Sequence, residues 1–300
     1  MTNFDRYLDY LRSHHITALA QLRDWLRLDA DLPQLVLHLD RLKSLLNSFR
    51  PLPPPVVAEL RSRFDVQFTY NSNAIEGNTL TQSETEMVIR SGITIQGHPL
   101  NEHLEAIGHA QAIDYLEALA GEEAIGEREI RELHGLMLRS IDPRNAGVYR
   151  SIDVKAAGTN YEYPSHFLVR ELMAGFHQWL QASGNLHPVE RAAQAHLEFV
   201  AIHPFADGNG RTARLLMNLL LLRAGYPIAI IANTQREAYI DAIVTHQTGG
   251  GSEFFTRLVA LAVQETMIES IAVASTALEC RDRGAAFYDW VATKINGEKG

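Results

Sequence analysis

Residues 203–214 read His203-Pro204-Phe205-Ala206-Asp207-Gly208-Asn209-Gly210-Arg211-Thr212-Ala213-Arg214, and the fold turns on them. Upstream, apolar residues from Val189 to Ala201 recur at helical spacing. Downstream, Leu215 to Leu222 reads as a buried helix that stops at Gly225 and Pro227. The string is therefore a loop between two helices, and its last residues open the second. Unpaired N–H groups at a helix start form an anion site, and glycines let that backbone approach a phosphate closely. Arg211 and Arg214 lie three apart and share one face of the first turn, where cations oppose the helix dipole. An anionic partner is expected to offset that cost.

Working outward, residues 4–28 and 35–49 read as two amphipathic helices. Leu35, Leu39, Leu42 and Leu46 recur at helical spacing as a core face, with a coiled-coil seam between two copies as the alternative. Pro51-Leu52-Pro53-Pro54-Pro55 is a stiff break. It separates an N-terminal helical extension (1–50) from a core domain (51–265), with a further helical segment at 266–300. Helical patterns resume over Val56–Asn71, Ser83–Ser91, Asn101–Ala120, Glu127–Arg139 and Met173–Leu180. One stretch differs: Val148 to Val154 alternates in the rhythm of a strand, Ala157 to Asn160 supplies turn residues, and Tyr161 to Tyr163 returns before Pro164. A small β-hairpin over 147–163 is expected in an otherwise all-α chain.

The chain of 300 residues is 46 % hydrophobic, enough for one large domain or a domain with an appendage. A formal net charge of −9 argues against non-specific binding to nucleic acid or to an anionic membrane. A polyanion would have to bind at a local basic site such as the two motif arginines. The single Cys280 cannot form an internal disulfide. The polar N-terminus shows no signal-peptide pattern, and the apolar run at 215–222 is far short of a bilayer span. A cytoplasmic protein is expected.

Nine specified positions at ~1/20 each match the motif by chance on the order of 10⁻⁹ of the time over a chain of this length. The string resembles the core motif of the Fic family, HPFx(D/E)GNGRxxR, at every specified position. A P-loop is excluded, because no Lys-Ser/Thr pair follows the glycines and no strand precedes them. The resemblance implies an all-helical bundle that transfers AMP from ATP to a protein hydroxyl. Upstream, Ser72-Asn73-Ala74-Ile75-Glu76-Gly77 is similar to the family's inhibitory motif, (S/T)xxxE(G/N). A helix near 66–77 would set Ser72 and Glu76 on one face, and Gly77 would end it in the left-handed conformation. With Thr79-Leu80-Thr81 and Glu102-His103-Leu104-Glu105-Ala106, the likeness spans roughly residues 55–265.

What the resemblance implies about roles follows residue by residue. His203, able to titrate near neutral pH, would be the base for the attacking hydroxyl. Asp207 would hold Mg²⁺ or Mn²⁺, a hard ion that takes one or two carboxylates and keeps its waters. Gly208, Asn209 and Gly210 would form the anion hole around the α-phosphate, with Asn209 among the catalytic groups. Arg211 and Arg214 would clamp the β- and γ-phosphates. Tyr239, in Arg236-Glu237-Ala238-Tyr239, is placed against adenine. Glu76 would pair with Arg214 and block productive ATP binding. The segment 147–163 would be the flap that aligns a protein substrate. The family also offers the reverse reaction, removal of AMP with Glu76 as base for water, and a nucleotide-gated binding module is the reading from another class. A homodimer is a further partner to test. The other histidines, His109, His134, His177 and His196, lack zinc-ligand spacing and read as structural.

Overall fold

The computed structural model describes residues 2–122, 125–155 and 161–298. Among these residues the chain forms α-helices and 3-10 turns and no strand. The helices are α1 (Asn3–Ser13), α2 (Ala18–Leu26), α3 (Leu32–Asn47), α4 (Pro54–Ile75), α5 (Gln82–Ser91), α6 (Leu100–Leu119), α7 (Glu127–Leu138), α8 (Val169–Ala182), α9 (Pro188–Ile202), α10 (Asn209–Arg223), α11 (Arg236–Gln247), α12 (Glu253–Thr276) and α13 (Ala285–Gly297). Two compact units result. One takes the residues up to Phe64 and those from Ala260 on, and the other takes Asp65–Val259.

In the first unit, the stretch read as one helix over 4–28 is two. His15 turns the chain at φ 54°, and Thr17 caps α2 by accepting from the Ala20 N–H. Leu35, Leu39, Leu42 and Leu46 are at most 2 % exposed, so the leucine stripe of α3 is a core face. Aromatic rings fill the centre: Phe4 meets Tyr288 edge-on at 5.7 Å, and Tyr7 meets Phe287 in the same way. Cys280 is buried, and burial raises its thiol pKa, which suits an inert side chain. α12 is long and apolar enough to cross a bilayer by length and composition, but 83 % of its most apolar window is buried inside the protein.

The second unit is organised around the α9–α10 pair, with α6 and α7 packed beside it. Pro188 occupies the first turn of α9, where its missing N–H costs nothing, and α9 buries Ala192, Ala193, Leu197, Phe199 and Val200. α10 is buried on nearly every side from Arg211 to Leu221. Apolar contacts on all faces hold the helix that carries both motif arginines, so its first turn is rigidly placed. α5 adds a satellite core in which Leu80, Val88 and Ala106 pack with Ile89, Ile95 and Ile107.

The expected hairpin is not formed among the described residues. Residues 148–155 and 161–165 run without a ladder, and the turn expected at 157–160 lies outside the described residues. The alternating apolar side chains face outward, with Val148 46 % and Ile152 62 % exposed. The backbone pairs elsewhere: the Arg150 N–H donates to the Pro204 carbonyl at 2.9 Å, tying this segment to the motif loop instead of to a partner strand.

Candidate active site

α9 ends at His203, whose backbone is left-handed at φ 53° and ψ 59°, with its N–H still bonded to the Phe199 carbonyl. A histidine in this region is uncommon, and Pro204 prevents the helix from continuing. The chain then dips inward. Phe205 is 0 % exposed and stacks on His134 at 3.6 Å between ring centres, with planes 7° apart. His134 acts as a double brace for the loop. Its Nε2 donates to the Asp207 carbonyl at 3.0 Å, and its Nδ1 accepts from the Gly147 N–H at 2.8 Å. Those partners fix the tautomer, since a carbonyl only accepts and an N–H only donates. Burial pulls the His134 pKa down to about 4, which keeps the ring neutral in this role.

The loop closes through Asn209. Its side-chain oxygen accepts from the Phe205 N–H and its amide donates to the Phe205 carbonyl, both at 2.9 Å. The side-chain oxygen and one of the two amide N–H groups are thus committed to holding the loop. The Gly208 carbonyl accepts both the N–H and the hydroxyl of Thr212 at 2.9 Å, which sets the first turn of α10. The N–H groups of Asn209, Gly210 and Arg211 precede that first intrahelical bond, as donors at a helix start do.

His203 stands at the edge of this site, its ring 4.1 Å from that of Tyr163. Its Nδ1 lies 3.3 Å from the Val200 carbonyl, so the proton is on Nδ1 and the lone pair is on Nε2. Burial lowers the His203 pKa to about 4; the Val200 carbonyl and the Glu76 and Asp207 carboxylates oppose that fall, while Arg150 adds to it. The ring is neutral near pH 7 and able to accept a proton.

The two arginines are held differently. Arg214 is 1 % exposed. Its Nε donates to the Ser72 hydroxyl at 3.0 Å, its Nη2 to the Ser72 carbonyl at 2.7 Å and to Glu76 Oε1 at 2.8 Å, and its Nη1 to the Tyr239 hydroxyl at 2.9 Å. Burial works to raise the Glu76 pKa, but Arg214, aided by Arg211 and Arg236, outweighs it and holds the carboxyl below its ordinary value. Arg211 pairs with Glu105 at 3.0 Å and reaches Asp207 at 3.5 Å. These carboxylates are the anionic partners that the motif demands. α4 runs on past Asn71 and ends at Ile75, just short of the end expected at Gly77, which stands at φ 103°; the Arg236 Nε donates to the Ile75 carbonyl at 2.7 Å. Gly210 permits the close approach of Glu76, because a Cβ there would lie 2.5 Å from Glu76 Oε1.

Ser72, Glu76, Arg211 and Arg214 are thus brought together beside Gly208, Asn209 and Gly210. Tyr239 is placed beneath them rather than at the surface. It is 1 % exposed, and its hydroxyl lies between Arg214 and His196, so its observed role is to support the arginine. Asp207 has a 77 % exposed side chain, and no group of three His, Cys, Asp or Glu suited to a metal occurs among the described residues. The roles of His134 and Glu105 lie outside the motif that the sequence advertises. Their signal would have been co-variation with residues 205–211, which one sequence does not contain.

Comparison with known proteins places this geometry. The Fic/DOC family matches residues 124–221. The protein named protein adenylyltransferase Fic of Drosophila virilis is 39 % identical over 204 residues, which is 67 % of this chain and 41 % of that protein. The one from Drosophila grimshawi is also 39 % identical, with 42 % of its length matched. The chain spans about two fifths of the length of these relatives. Among solved structures, Fic-1 of C. elegans (residues 134–508) superposes with a TM-score of 0.71 at 32 % identity, over 78 % of this chain and 70 % of that one. A Fic domain-containing signaling protein from Bacteroides thetaiotaomicron gives 0.69 at 29 % identity, over 79 % and 96 %. A neutral histidine at a left-handed helix end, a glycine-flanked helix start and two arginines held by carboxylates are thus set on a scaffold shared with these proteins, and the chain belongs to the Fic/DOC family.

Proposed function

We propose that the chain is an autoinhibited protein adenylyltransferase, transferring AMP from ATP to a protein hydroxyl. The observation that carries this reading is the pairing of a neutral His203 with an α10 start whose Arg214 is occupied by the chain's own Glu76. In the reaction, the target oxygen attacks the α-phosphorus, and its proton passes to the free Nε2 of His203. The bond from that phosphorus to the bridging oxygen breaks, and pyrophosphate leaves. The N–H groups of 209–211 face the charge that grows on the α-phosphate, where preorganised donors act most strongly. Arg211 binds the outer phosphates, and Arg214 joins it once Glu76 yields.

The donor set fits a divalent ion held mainly by phosphate: one exposed carboxylate, Asp207, and no protein cage among the described residues. Bound there, Mg²⁺ or Mn²⁺ would neutralise charge between the phosphates. A protein substrate would lie along 147–163, where the exposed Val148 and Ile152 offer apolar contacts. The names of the Drosophila relatives support this activity.

The reverse reaction is a second reading, favoured by a carboxylate that is ionised and 38 % exposed at the mouth of the same anion site. There Glu76 would draw a proton from water attacking an AMP-modified protein. Release of AMP from a modified protein by wild type but not by Glu76→Gly would support that direction, and labelled ATP tests the forward one. With Glu76→Gly protein, transfer from α-labelled but not γ-labelled ATP is expected. Marking by the γ-label, or by neither, would contradict AMP transfer.

A further inference from the structure

Arg150 has a side chain that is 0 % exposed, yet the carboxylate nearest to it, Asp153 at 3.6 Å, is itself 64 % exposed. The guanidinium donates instead to three carbonyls: Nε to His203 at 2.8 Å, Nη1 to Ile152 at 3.1 Å, and Nη2 to Pro164. Its backbone N–H holds a fourth, that of Pro204. A buried cation served mainly by carbonyl dipoles is a poor way to gain stability, since apolar packing of similar volume does as well or better. Its planar fork of donors is, however, well suited to fixing several acceptors in one arrangement. One acceptor belongs to the candidate base and two belong to the segment 147–165. The His203 backbone occupies a sparsely populated conformation, which persists only where its surroundings enforce it. The two bonds from Arg150 to successive carbonyls, His203 and Pro204, supply that enforcement.

We propose that Arg150 is a positioning residue for the transfer reaction: it locks His203 in its left-handed turn and sets the ring at a fixed offset from the segment on which the target hydroxyl is presented. This rests on the adenylyl-transfer reading for its rate effect, but the geometric part stands without it. Removing the guanidinium should let the His203 backbone relax toward common conformations and loosen the Nδ1 contact with Val200. Nucleotide binding, which uses the α10 start and its arginines, should be spared.

The test uses Arg150→Gln and Arg150→Lys, each made in full-length protein and in the Glu76→Gly background. In nucleotide-free protein, nitrogen-detected NMR of the His203 ring is expected to show the single Nδ1–H form give way to a tautomer mixture in Arg150→Gln. In the Glu76→Gly background, ATP affinity should stay within about twofold while the AMP-transfer rate falls by about tenfold or more, as misplaced reacting groups do. Arg150→Lys should fall between. A folded Arg150→Gln protein with unchanged ring signals and unchanged rate would overturn the proposal, as would loss of rate in step with loss of ATP affinity. If Arg150→Gln does not fold, the same readings on Arg150→Lys decide. Should Glu76→Gly itself transfer no AMP, the functional reading fails while the ring signals still judge Arg150.

Discussion

The two ends of the candidate site are built on opposite principles. At the base end, His203 is uncharged and half-buried, its Nδ1 meeting the Val200 carbonyl and its own carbonyl accepting from Arg150, with no ion pair of its own among the described residues. At the phosphate end, both arginines already carry carboxylates: Glu76 on Arg214 and Glu105 on Arg211. On the proposed reading the base end is ready for chemistry, whereas the arginine end is filled by the protein's own anions. Control of such a site belongs where the charges are, because an ion pair can be exchanged for a phosphate while a neutral ring has nothing to exchange. The asymmetry within the Glu76–Arg214 pair sharpens this. The arginine side chain is 2 % exposed and the glutamate 38 %, so the cation is the fixed partner and the anion the removable one.

The largest effect should come from breaking the base end. His203→Ala is expected to lower AMP transfer in the Glu76→Gly background by about 10²–10⁴-fold, the usual worth of a positioned base, with ATP affinity retained. Retention of the full rate would show that the ring is not the base. The same end predicts a pH response. Folding lowers the pKa of His203 and His134 to about 4 and pushes those of His109 and His196 well below the ordinary value, burial being the main cause each time. A folded pKa below the unfolded one means the unfolded chain binds protons first, so stability is full above about pH 6.5 and lost as pH falls toward 4. Thermal melts should show Tm nearly flat from about pH 8 to 7 and falling steeply from about 6 to 4. His134→Gln should flatten part of that fall. A Tm independent of pH over that range would mean these rings are not buried neutral.

At the phosphate end, Arg214→Ala removes the fixed partner. It leaves the Ser72 carbonyl and the Tyr239 hydroxyl without their donor and Glu76 without its cation. A loss of about 3 kcal/mol in denaturant unfolding is expected, at the low end for a broken buried pair because the carboxylate can reach water. Transfer should be lost whether or not Glu76 is present. Glu76→Gly should cost less, roughly 1 kcal/mol, since the exposed carboxylate is screened, and Mg-ATP should restore it.

The helical frame and the motif loop were legible in the sequence for one reason: both are local. Apolar spacing located α9 and α10, and a twelve-residue string placed His203, Asp207 and Gly208 on the turn between them and Gly210 and both arginines at the start of α10. The Glu76–Arg214 pairing was legible only through the family resemblance, because 138 positions separate the partners. What was missed is long-range. His134 reads as an ordinary helix residue until the fold lays it under Phe205, and Glu105 until α6 meets Arg211. Alternation from Val148 to Val154 looked like a strand because a period of two reports side-chain facing, whereas Arg150 takes the backbone to Pro204. Tyr239 lies in a stretch that resembles a base-binding region, but burial beneath Arg214 is a tertiary fact that no local pattern carries.

The account rests on Glu76 occupying the place of a phosphate. The most direct measurement compares AMP incorporation by full-length wild type and Glu76→Gly at saturating Mg-ATP, using α-labelled ATP and self-modification as the common acceptor. The account predicts a clear gain for Glu76→Gly, about tenfold or more if displacing the carboxylate costs at least ~1.4 kcal/mol. Equal incorporation by the two proteins would contradict it.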